Sequence, residues 1–529
     1  MASYFSIGFF AILLPFTLVA YAVLPKRARW VVLLVMSYAF LFIMSRWLVA
    51  FTAASTVSVY ALARCIDALY AKRNRELKQT KGGKRALKQR YKNKARWVLV
   101  LAIAINVGIL VFLKYLQFFG SIASSIAGLF GANVLFEAPS IGVPLGISFY
   151  TLMAVSYMVD VYREKAKADK HLGKVALFLV FFPQIMEGPI CRFDQTAEAL
   201  MEGRPITSQN LYAGSTRMLM GFVKKMVVAD RMDRYVSSVY DSYGTFDGGV
   251  HLLTAIIYTL QLYCDFSGTM DMALGMGQLF DVSLPENFKQ PFFSKTTSEF
   301  WQRWHITLGS WFKDYVFYPV SFSKPCKSLS TKTRKRFGKQ IGPLMISSIA
   351  LFCVWLLNGL WHGAGSQYLF FGMYYFVLIA AGGFVEVWAQ NFTTKHQVDR
   401  TSTPYVAMRV ARTLCFVFLG ELIFRSASAS DAVAIMGRIA TNFSLEGIAN
   451  GSMLVKGVEV TDFAIAALFM VGVFVLDALA ERGTSWLDWA VSRNTLGRCA
   501  LWVALLAIVV IFGAYGYGYV PVDPMYAQD

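Results

Sequence analysis

The sequence predicts an all-α polytopic membrane protein with about 11–12 transmembrane or half-spanning helices. Of its 529 residues, 56% are hydrophobic and 16% are charged, whereas a soluble domain has about 25% charged residues. Apolar runs of roughly 20 residues, long enough to cross a bilayer, recur along the chain. Much of the formal net charge of +19 lies between these runs, as the positive-inside rule expects.

The positive charge is the one feature that could suggest nucleic-acid binding. Its concentration in a few segments between apolar runs is explained by membrane topology, so we expect no nucleic-acid partner. Membrane lipid is the expected surrounding, and the basic segments could also hold anionic lipid or an acidic partner.

The N-terminal part of the chain alternates between apolar and basic segments. Lys72–Arg96 contains twelve Lys or Arg and one Glu, which predicts a cytoplasmic segment that is solvated or partly helical. Gly120–Ile141 contains many small residues and is expected to connect two spans on the outer side. Five spans are predicted here: Phe5–Leu24, Trp30–Met44, Trp47–Leu69, Trp97–Phe119 and Gly142–Tyr162.

The middle of the chain is less regular. Val175–Ile190 is apolar but contains Pro183, Gly188 and Pro189, which predicts a re-entrant or half-spanning element surrounded by protein. An amphipathic segment, a long apolar run and a proline-containing loop follow: Ala213–Ala229, Leu252–Phe280 and Leu284–Lys295.

Ser298–Pro319 mixes Trp, Arg, His and Asp with apolar residues. It is too polar to face lipid, so it is predicted to form a tilted helix inside the bundle. Lys324–Lys339 has seven Lys or Arg and no acid, which predicts a cytoplasmic loop. The last spans are predicted at Pro343–Trp361, Tyr368–Val387, Tyr405–Phe424, Phe463–Leu479 and Ala500–Tyr519, with Val520–Asp529 outside.

These elements predict a single membrane-embedded domain over residues 1–529 of a multi-pass cell-membrane protein. Residues 1–119 would hold the N-terminal spans and the basic cytoplasmic segment. Residues 120–390 would form the core that carries the candidate catalytic histidines, and residues 391–529 would add the C-terminal spans.

His362 is the first candidate catalytic residue, because it ends a long apolar run between Trp361 and Gly363. An ionisable side chain at membrane depth is costly and indicates function by default. Asn358 lies four residues earlier, on the same helical face, and its amide could orient the imidazole. A neutral imidazole in a dry pocket can take a proton from an attacking hydroxyl. The alternative is a histidine whose hydrogen bonds only join two helices.

His305 is the second candidate, in an aromatic segment that also contains Glu299, Arg303 and Asp314. A catalytic role and a buried structural network of these charges are both open. Asp265 and Asp271 are six residues apart and do not share a helical face, which favours capping or hydrogen bonding within the bundle over a general acid/base pair. No metal-binding or nucleotide-binding motif occurs in the sequence, so no metal is expected.

Several ordered motifs then identify a family. The chain resembles the membrane-bound O-acyltransferase (MBOAT) family, and within it the bacterial alginate and polysaccharide O-acetyltransferases and the membrane protein of teichoic acid D-alanyl transfer. The resemblance is strong over about residues 100–380, where Glu187 and Cys191 depart from the expected small or apolar residues. It is carried by Pro144–Thr151, Asp160–Arg163, Phe181–Gln184, Gly188–Ile190, Gly221–Lys225, Asp265–Gly268, Leu284–Phe288, Glu299–His305, Trp311–Tyr315 and Asn358–Gly363.

The resemblance implies a helical bundle around a central tunnel, with His362 as the catalytic histidine and His305 as the second essential one. It implies acyl transfer, most simply of acetyl, from a cytoplasmic thioester such as acetyl-CoA or an acyl-carrier protein, with no bound cofactor. The acceptor would be a hydroxyl of an extracytoplasmic polysaccharide or a partner protein that completes the transfer. Substrate binding or orientation is expected from Asn358, Arg303, Trp304, Trp361, Asp314 and Asp265.

Two alternatives stay open at this point. One is D-alanyl transfer from a carrier protein to teichoic acid, and the other is a transporter or flippase without covalent chemistry. The protein would lie in a bacterial cytoplasmic membrane whether it transfers acetyl or D-alanyl groups.

Overall fold

The computed structural model describes residues 8–131, 142–515 and 522. Regular structure in these ranges is helical, without any strand, so the predicted all-α class is confirmed. Six helical segments are long and apolar enough to cross a membrane, which makes this a multi-pass membrane protein. They are Lys26–Gln79, Lys84–Gly120, Lys324–His362, Ser366–Lys395, Val460–Glu481 and Thr495–Phe512, and two shorter apolar ones are Phe9–Val23 and Ile147–Tyr162.

The chain divides into two compact units. The described part of the first comprises residues 8–131, 142–215 and 273–285, and the second is formed by Thr216–Met272 together with the described part of Glu286–Val522. The prediction of one domain in three parts stays a prediction. Some predicted segments lie partly outside the described residues: Phe5–Leu24, Gly120–Ile141 and Ala500–Tyr519. Of the predicted outer segment Val520–Asp529, only Val522 is described.

The first unit confirms the predicted N-terminal helices. Its helices are α1 (Leu14–Val23), α2 (Arg29–Ser45), α3 (Val49–Gln79), α4 (Lys84–Leu110), α5 (Leu116–Leu129), α6 (Ile147–Tyr162), α7 (Leu172–Val180), α8 (Phe182–Ile185) and α9 (Phe193–Glu202), and the first half of α10 (Ser208–Phe222) also belongs to it. The ends of α3 and α4 occupy most of the basic segment Lys72–Arg96, as its partly helical prediction allowed.

The apolar segment Val175–Ile190 is broken as predicted. α7 ends at Val180, the short α8 begins beside Pro183, and residues 186–190 form no regular helix. Every residue from Val175 to Ile190 is buried. Irregular backbone of this kind is tolerated at membrane depth only where protein covers it, which explains the burial.

The second unit carries all the candidate site residues. Its helices are α11 (Asp230–Asp241), α12 (Gly248–Leu279, which continues into the first unit), α13 (Thr297–Arg303), α14 (Ile306–Phe312), α15 (Tyr318–Ser321), α16 (Lys324–His362), α17 (Ser366–Lys395), α18 (Thr403–Arg425), α19 (Ala429–Thr441), α20 (Glu446–Ala449), α21 (Val460–Glu481), α22 (Trp486–Val491) and α23 (Thr495–Phe512). Short π-helical or 3-10 turns occupy Val223–Ala229, Tyr243–Thr245, Pro291–Phe293 and Lys313–Phe317.

Two predictions about this unit are wrong. Ser298–Pro319 is not one tilted helix, because α13 and α14 are separated at Trp304 and His305. Lys324–Lys339 is not a loop but the first part of α16, which is interrupted at Gly338. The φ angle of Gly338 is +82°, a left-handed conformation that glycine adopts without steric cost.

Candidate active site

His305 lies at the break between α13 and α14. Its φ and ψ are 47° and 50°, a left-handed conformation that costs energy for any residue with a Cβ. Backbone bonds from a neighbouring loop maintain it: the Ile306 N–H donates to the Asn287 carbonyl (3.0 Å), and the Lys289 N–H donates to the Arg303 carbonyl (2.9 Å). A strained residue held this firmly is typical of functional sites.

The Asn287 side chain then orients the His305 ring. Asn287 is 1% exposed, and its Oδ1 accepts from the Thr307 N–H (3.0 Å) and hydroxyl (2.9 Å). The same oxygen lies 3.3 Å from His305 Nδ1. Because an amide oxygen only accepts, this contact requires the proton of a neutral ring to be on Nδ1 and leaves Nε2 with its lone pair.

Ion pairs anchor the loop that carries Asn287. Arg217 contacts both carboxylate oxygens of Glu286, at 2.8 and 2.6 Å, and its Nε lies 3.0 Å from Asp271. Lys224 adds a second cation to Asp271 at 2.7 Å. The backbones of α10 and α12 approach closely nearby, since a Cβ at Gly221 would lie 2.5 Å from the Gly268 carbonyl oxygen.

The two aspartates of α12 therefore have ionic partners, which the sequence alone did not indicate. Asp265 lies 2.6 Å from the buried Lys225, which also contacts Asp230 at 2.6 Å. The bundle hydrogen bonding expected of Asp265 and Asp271 takes the form of charge pairs between α10, α11 and α12. Pairing of this kind is what allows charged groups to be buried in a membrane protein.

His362 is held in a different way, by aromatic packing. It is the last residue of α16 and is 5% exposed. Its ring centroid lies 5.0 Å from that of Phe424, 5.7 Å from Phe371 and 6.4 Å from Tyr368. The Phe424 and Phe371 rings present their edges at angles of 89° and 81°, a favourable geometry for aromatic pairs.

Glycines bring α16 and α17 close enough to form this packing. A Cβ at Gly359 would lie 2.5 Å from the Tyr368 carbonyl oxygen, and one at Gly372 would collide with the carbonyl oxygen of Trp355. Gly359 and Gly372 therefore permit the close approach of the two helix backbones.

The structure brings the two histidines to one place, with Trp361 beside both. The Trp361 ring centroid lies 5.9 Å from His305 and 5.1 Å from His362.

His305 is outside the candidate membrane-spanning helices. Burial lowers the pKa of the His305 imidazole well below its usual value, and the nearby His362 lowers it further. A neutral ring retains the lone pair that accepts a proton or hydrogen bond.

A cavity of 540 Å³ reaches this place and is lined mainly by apolar and aromatic side chains. His305, Trp304 and Asn358 belong to its wall, while Gln302, Ser310 and Lys313 add polar groups elsewhere. The Asn358 side-chain oxygen is buried and has no hydrogen-bond partner among the described residues. A largely apolar cavity with a few converging polar groups is the usual form of a small-molecule site.

The other predicted orienting residues lie around this centre. Trp304 lines the cavity and stacks on Phe300 with ring centroids 5.4 Å apart. Asp314 lies in the π-helical turn after α14. Arg303 contacts Glu481 at 2.6 and 3.1 Å and Glu299 at 2.8 Å. The catalytic and orienting roles assigned to all these residues stay predictions.

Asn287 is the residue that sequence reasoning missed. It lies in the motif Leu284–Phe288, which from the sequence was interpreted only as part of a proline-containing loop and of the family resemblance. A buried amide cannot be assigned to a histidine 18 positions away without tertiary contacts. The positive φ at His305 could not be predicted either, because residues 298–308 contain neither glycine nor proline.

Comparison with known proteins gives the following matches. The model of the membrane-bound O-acyltransferase family, MBOAT, matches residues 85–332, a range that includes His305 and ends before His362. A probable alginate O-acetylase AlgI of Pseudomonas syringae pv. tomato is 32% identical over 64% of this chain and 59% of its own length. The peptidoglycan O-acetyltransferase of Helicobacter pylori is 29% identical over 52% of this chain and 53% of its own.

A third relative is the teichoic acid D-alanyltransferase of Bacillus subtilis, which is 30% identical over 53% of this chain and 68% of its own length. The matched part of the chain spans between 51% and 65% of three such alginate O-acetylases of Pseudomonas.

Proposed function

Because the chain belongs to the membrane-bound O-acyltransferase family, we propose that it is an O-acyltransferase that moves an acetyl group from a thioester to a hydroxyl of a cell-surface polysaccharide. The observation that carries the proposal is the pair of buried histidines that both lie against Trp361, with His305 in the wall of a 540 Å³ cavity. The names of the alginate and peptidoglycan relatives supply the acetyl group and the kind of acceptor.

The thioester donor, acetyl-CoA or an acyl-carrier protein, would place its acyl end in the cavity. The apolar wall excludes water, which protects the thioester from hydrolysis. The Asn358 amide would donate an N–H to the thioester carbonyl oxygen as negative charge develops there. The basic segments on the cytoplasmic side, around Lys72–Arg96 and in the first part of α16, would attract the anionic donor.

His362 would act as the general base. It takes the proton of the acceptor hydroxyl while the hydroxyl oxygen attacks the thioester carbonyl carbon. The C–S bond then breaks, and the leaving thiolate takes the proton from His362. No acyl-enzyme is needed in this sequence, because the acceptor oxygen attacks directly.

His305 would position the donor and support the reacting centre. Its Nδ1–H is bonded to Asn287, so Nε2 of the neutral ring carries the lone pair. A ring fixed in both rotation and tautomer loses no freedom when the substrate binds, which is the advantage of a preorganised site.

The acceptor is expected on the outer side of the bacterial cytoplasmic membrane. A partner protein that receives the acyl group first and completes the transfer is compatible with the same chemistry, because His362 would deprotonate a protein hydroxyl in the same way. Membrane lipid surrounds the helices in either case.

The proposal is tested with the full-length protein in proteoliposomes, supplied with radiolabelled acetyl-CoA inside and alginate oligosaccharide outside. We expect labelled ester on the oligosaccharide. Solute flux without any labelled ester would instead identify a transporter.

A second candidate activity is D-alanyl transfer, favoured by the 68% coverage of the Bacillus subtilis relative. It would use the same two histidines with a carrier-bound D-alanyl thioester. Competition between unlabelled D-alanyl carrier protein and labelled acetyl-CoA distinguishes the two. Acetyl transfer that persists in excess D-alanyl carrier supports the acetyltransferase, and its replacement by D-alanyl ester supports the alternative.

A further inference from the structure

A buried polar cluster beside His362 is not used by the mechanism above. Glu421 of α18 is 2% exposed, and its Oε1 has no hydrogen-bond partner among the described residues. Leaving a carboxyl oxygen buried and unbonded is costly. Arg425, four residues later, does not compensate, since its guanidinium lies over the Tyr240 ring and donates to Ser237.

Two tyrosine hydroxyls near Glu421 also have no hydrogen-bond partner among the described residues. They belong to Tyr258 and Tyr375, which are 3% and 0% exposed. Both lie within electrostatic reach of Glu421. The Tyr375 hydroxyl also approaches Gly420, where a Cβ would collide with it. Three helices, α12, α17 and α18, therefore contribute buried polar atoms without hydrogen-bond partners to one region of the second unit.

The cluster lies close to His362, the residue proposed as the general base. Phe424, one helical turn after Glu421, contacts the His362 ring at 5.0 Å. Tyr375 packs against Trp301 and Trp355 with ring centroids 4.8 and 5.3 Å away. These two tryptophans form part of the donor cavity wall, so they separate the cluster from the donor.

We propose that Glu421, Tyr258 and Tyr375 bind the hydroxyl groups of a carbohydrate acceptor next to the hydroxyl that His362 deprotonates. The carboxyl oxygens of Glu421 can accept hydrogen bonds, and each tyrosine hydroxyl both donates and accepts. Together they match a sugar with neighbouring hydroxyls, and the Phe424 and Tyr368 rings offer apolar faces for its C–H groups. The inference rests on the proposed acyl transfer and assigns its acceptor site.

The test compares Glu421→Gln and Tyr375→Phe with wild type, in the full-length protein, with acetyl-CoA and an alginate oligosaccharide as substrates. Loss of one hydrogen bond to the acceptor raises its KM about tenfold, while the KM of acetyl-CoA does not change. Tyr374→Phe is the matched control, because the Tyr374 hydroxyl already donates to the Phe416 carbonyl at 2.9 Å. We expect its acceptor KM to equal that of wild type.

Direct binding adds a readout that does not need turnover. Calorimetric titration of the oligosaccharide into His362→Ala protein, with and without Glu421→Gln, is expected to show about tenfold weaker binding when Glu421 is changed. Unchanged acceptor KM and affinity in both Glu421→Gln and Tyr375→Phe would overturn the assignment. An equal loss toward acceptor and acetyl-CoA would also overturn it, since that is the result of a purely structural cluster. Wild-type protein that transfers no acetyl would refute the proposed function itself.

Discussion

His305 and His362 lie at one site but are held by opposite means. His305 is fixed by polar contacts: a left-handed backbone, the Asn287 oxygen at 3.3 Å and a loop anchored by ion pairs. His362 is fixed by packing at a helix end, among the rings of Phe424, Phe371 and Tyr368. The polar contacts define which nitrogen of His305 carries the proton, whereas the aromatic packing around His362 fixes the position of its ring.

This contrast predicts the largest loss of activity at His362. Replacement by alanine removes the proposed general base. General-base catalysis contributes typically 10²–10⁴-fold, so we expect acetyl transfer to fall about 1,000-fold or more. The measurement is single-turnover transfer of labelled acetyl in proteoliposomes. His251→Ala is the matched control, because His251 is also buried but its Nε2 lies 2.9 Å from the Tyr243 carbonyl, in a structural contact. Near wild-type transfer by His362→Ala would remove it from the mechanism.

His305→Ala is expected to have the next largest effect, about 100-fold, because it removes a positioning group but leaves the base. Single-turnover rates at saturating donor measure it, together with the KM of acetyl-CoA. A loss equal to that of His251→Ala would mean that His305 is only a structural residue.

The sequence predicted much of the fold because its signals are local. Long apolar runs and basic segments located α2, α3, α16 and α17, and the motifs predicted the family that the comparisons confirm. Proline and glycine located the broken segment after α7. The histidines were found because ionisable residues are rare in such runs.

The remaining features depend on contacts between distant residues. The interruption at His305 has no breaker residue of its own and is imposed by backbone bonds to Asn287 and Lys289. The pairs that join Asp271 to Arg217 and Lys224 connect positions about fifty residues apart along the chain. Periodicity contains no information about such pairs, so Asp265 and Asp271 could be interpreted only as bundle hydrogen-bonding groups.

Asn287→Ala should have a smaller effect than either histidine substitution. It removes the acceptor that fixes His305 Nδ1–H, and the loss of one such hydrogen bond corresponds to about tenfold in rate. Asn106→Ala serves as control, since Asn106 is equally buried but bonds to Ser55 and the Ala102 carbonyl in the first unit. Wild-type transfer by Asn287→Ala would show that His305 needs no such support.

Glu286→Gln is expected to have the smallest effect, about threefold or less. Its carboxylate is 60% exposed, and exposed ion pairs contribute little, while Arg217 keeps its contact with Asp271. Glu164→Gln is the control, because Glu164 forms a similar two-oxygen contact with Arg73 in the first unit. Transfer rates of the two variants are compared at the same salt concentration. A loss near that of Asn287→Ala would show that the ion pair itself determines the loop position.

The central claim is that Asn287 acts on the reaction through His305. It is tested most directly by a double-mutant cycle of Asn287→Ala and His305→Ala, measured as single-turnover acetyl transfer. If Asn287 acts by orienting His305, its substitution slows the wild-type reaction about tenfold and causes no further loss once His305 is alanine. Losses that multiply in the double variant would contradict this, because Asn287 and His305 would then act independently.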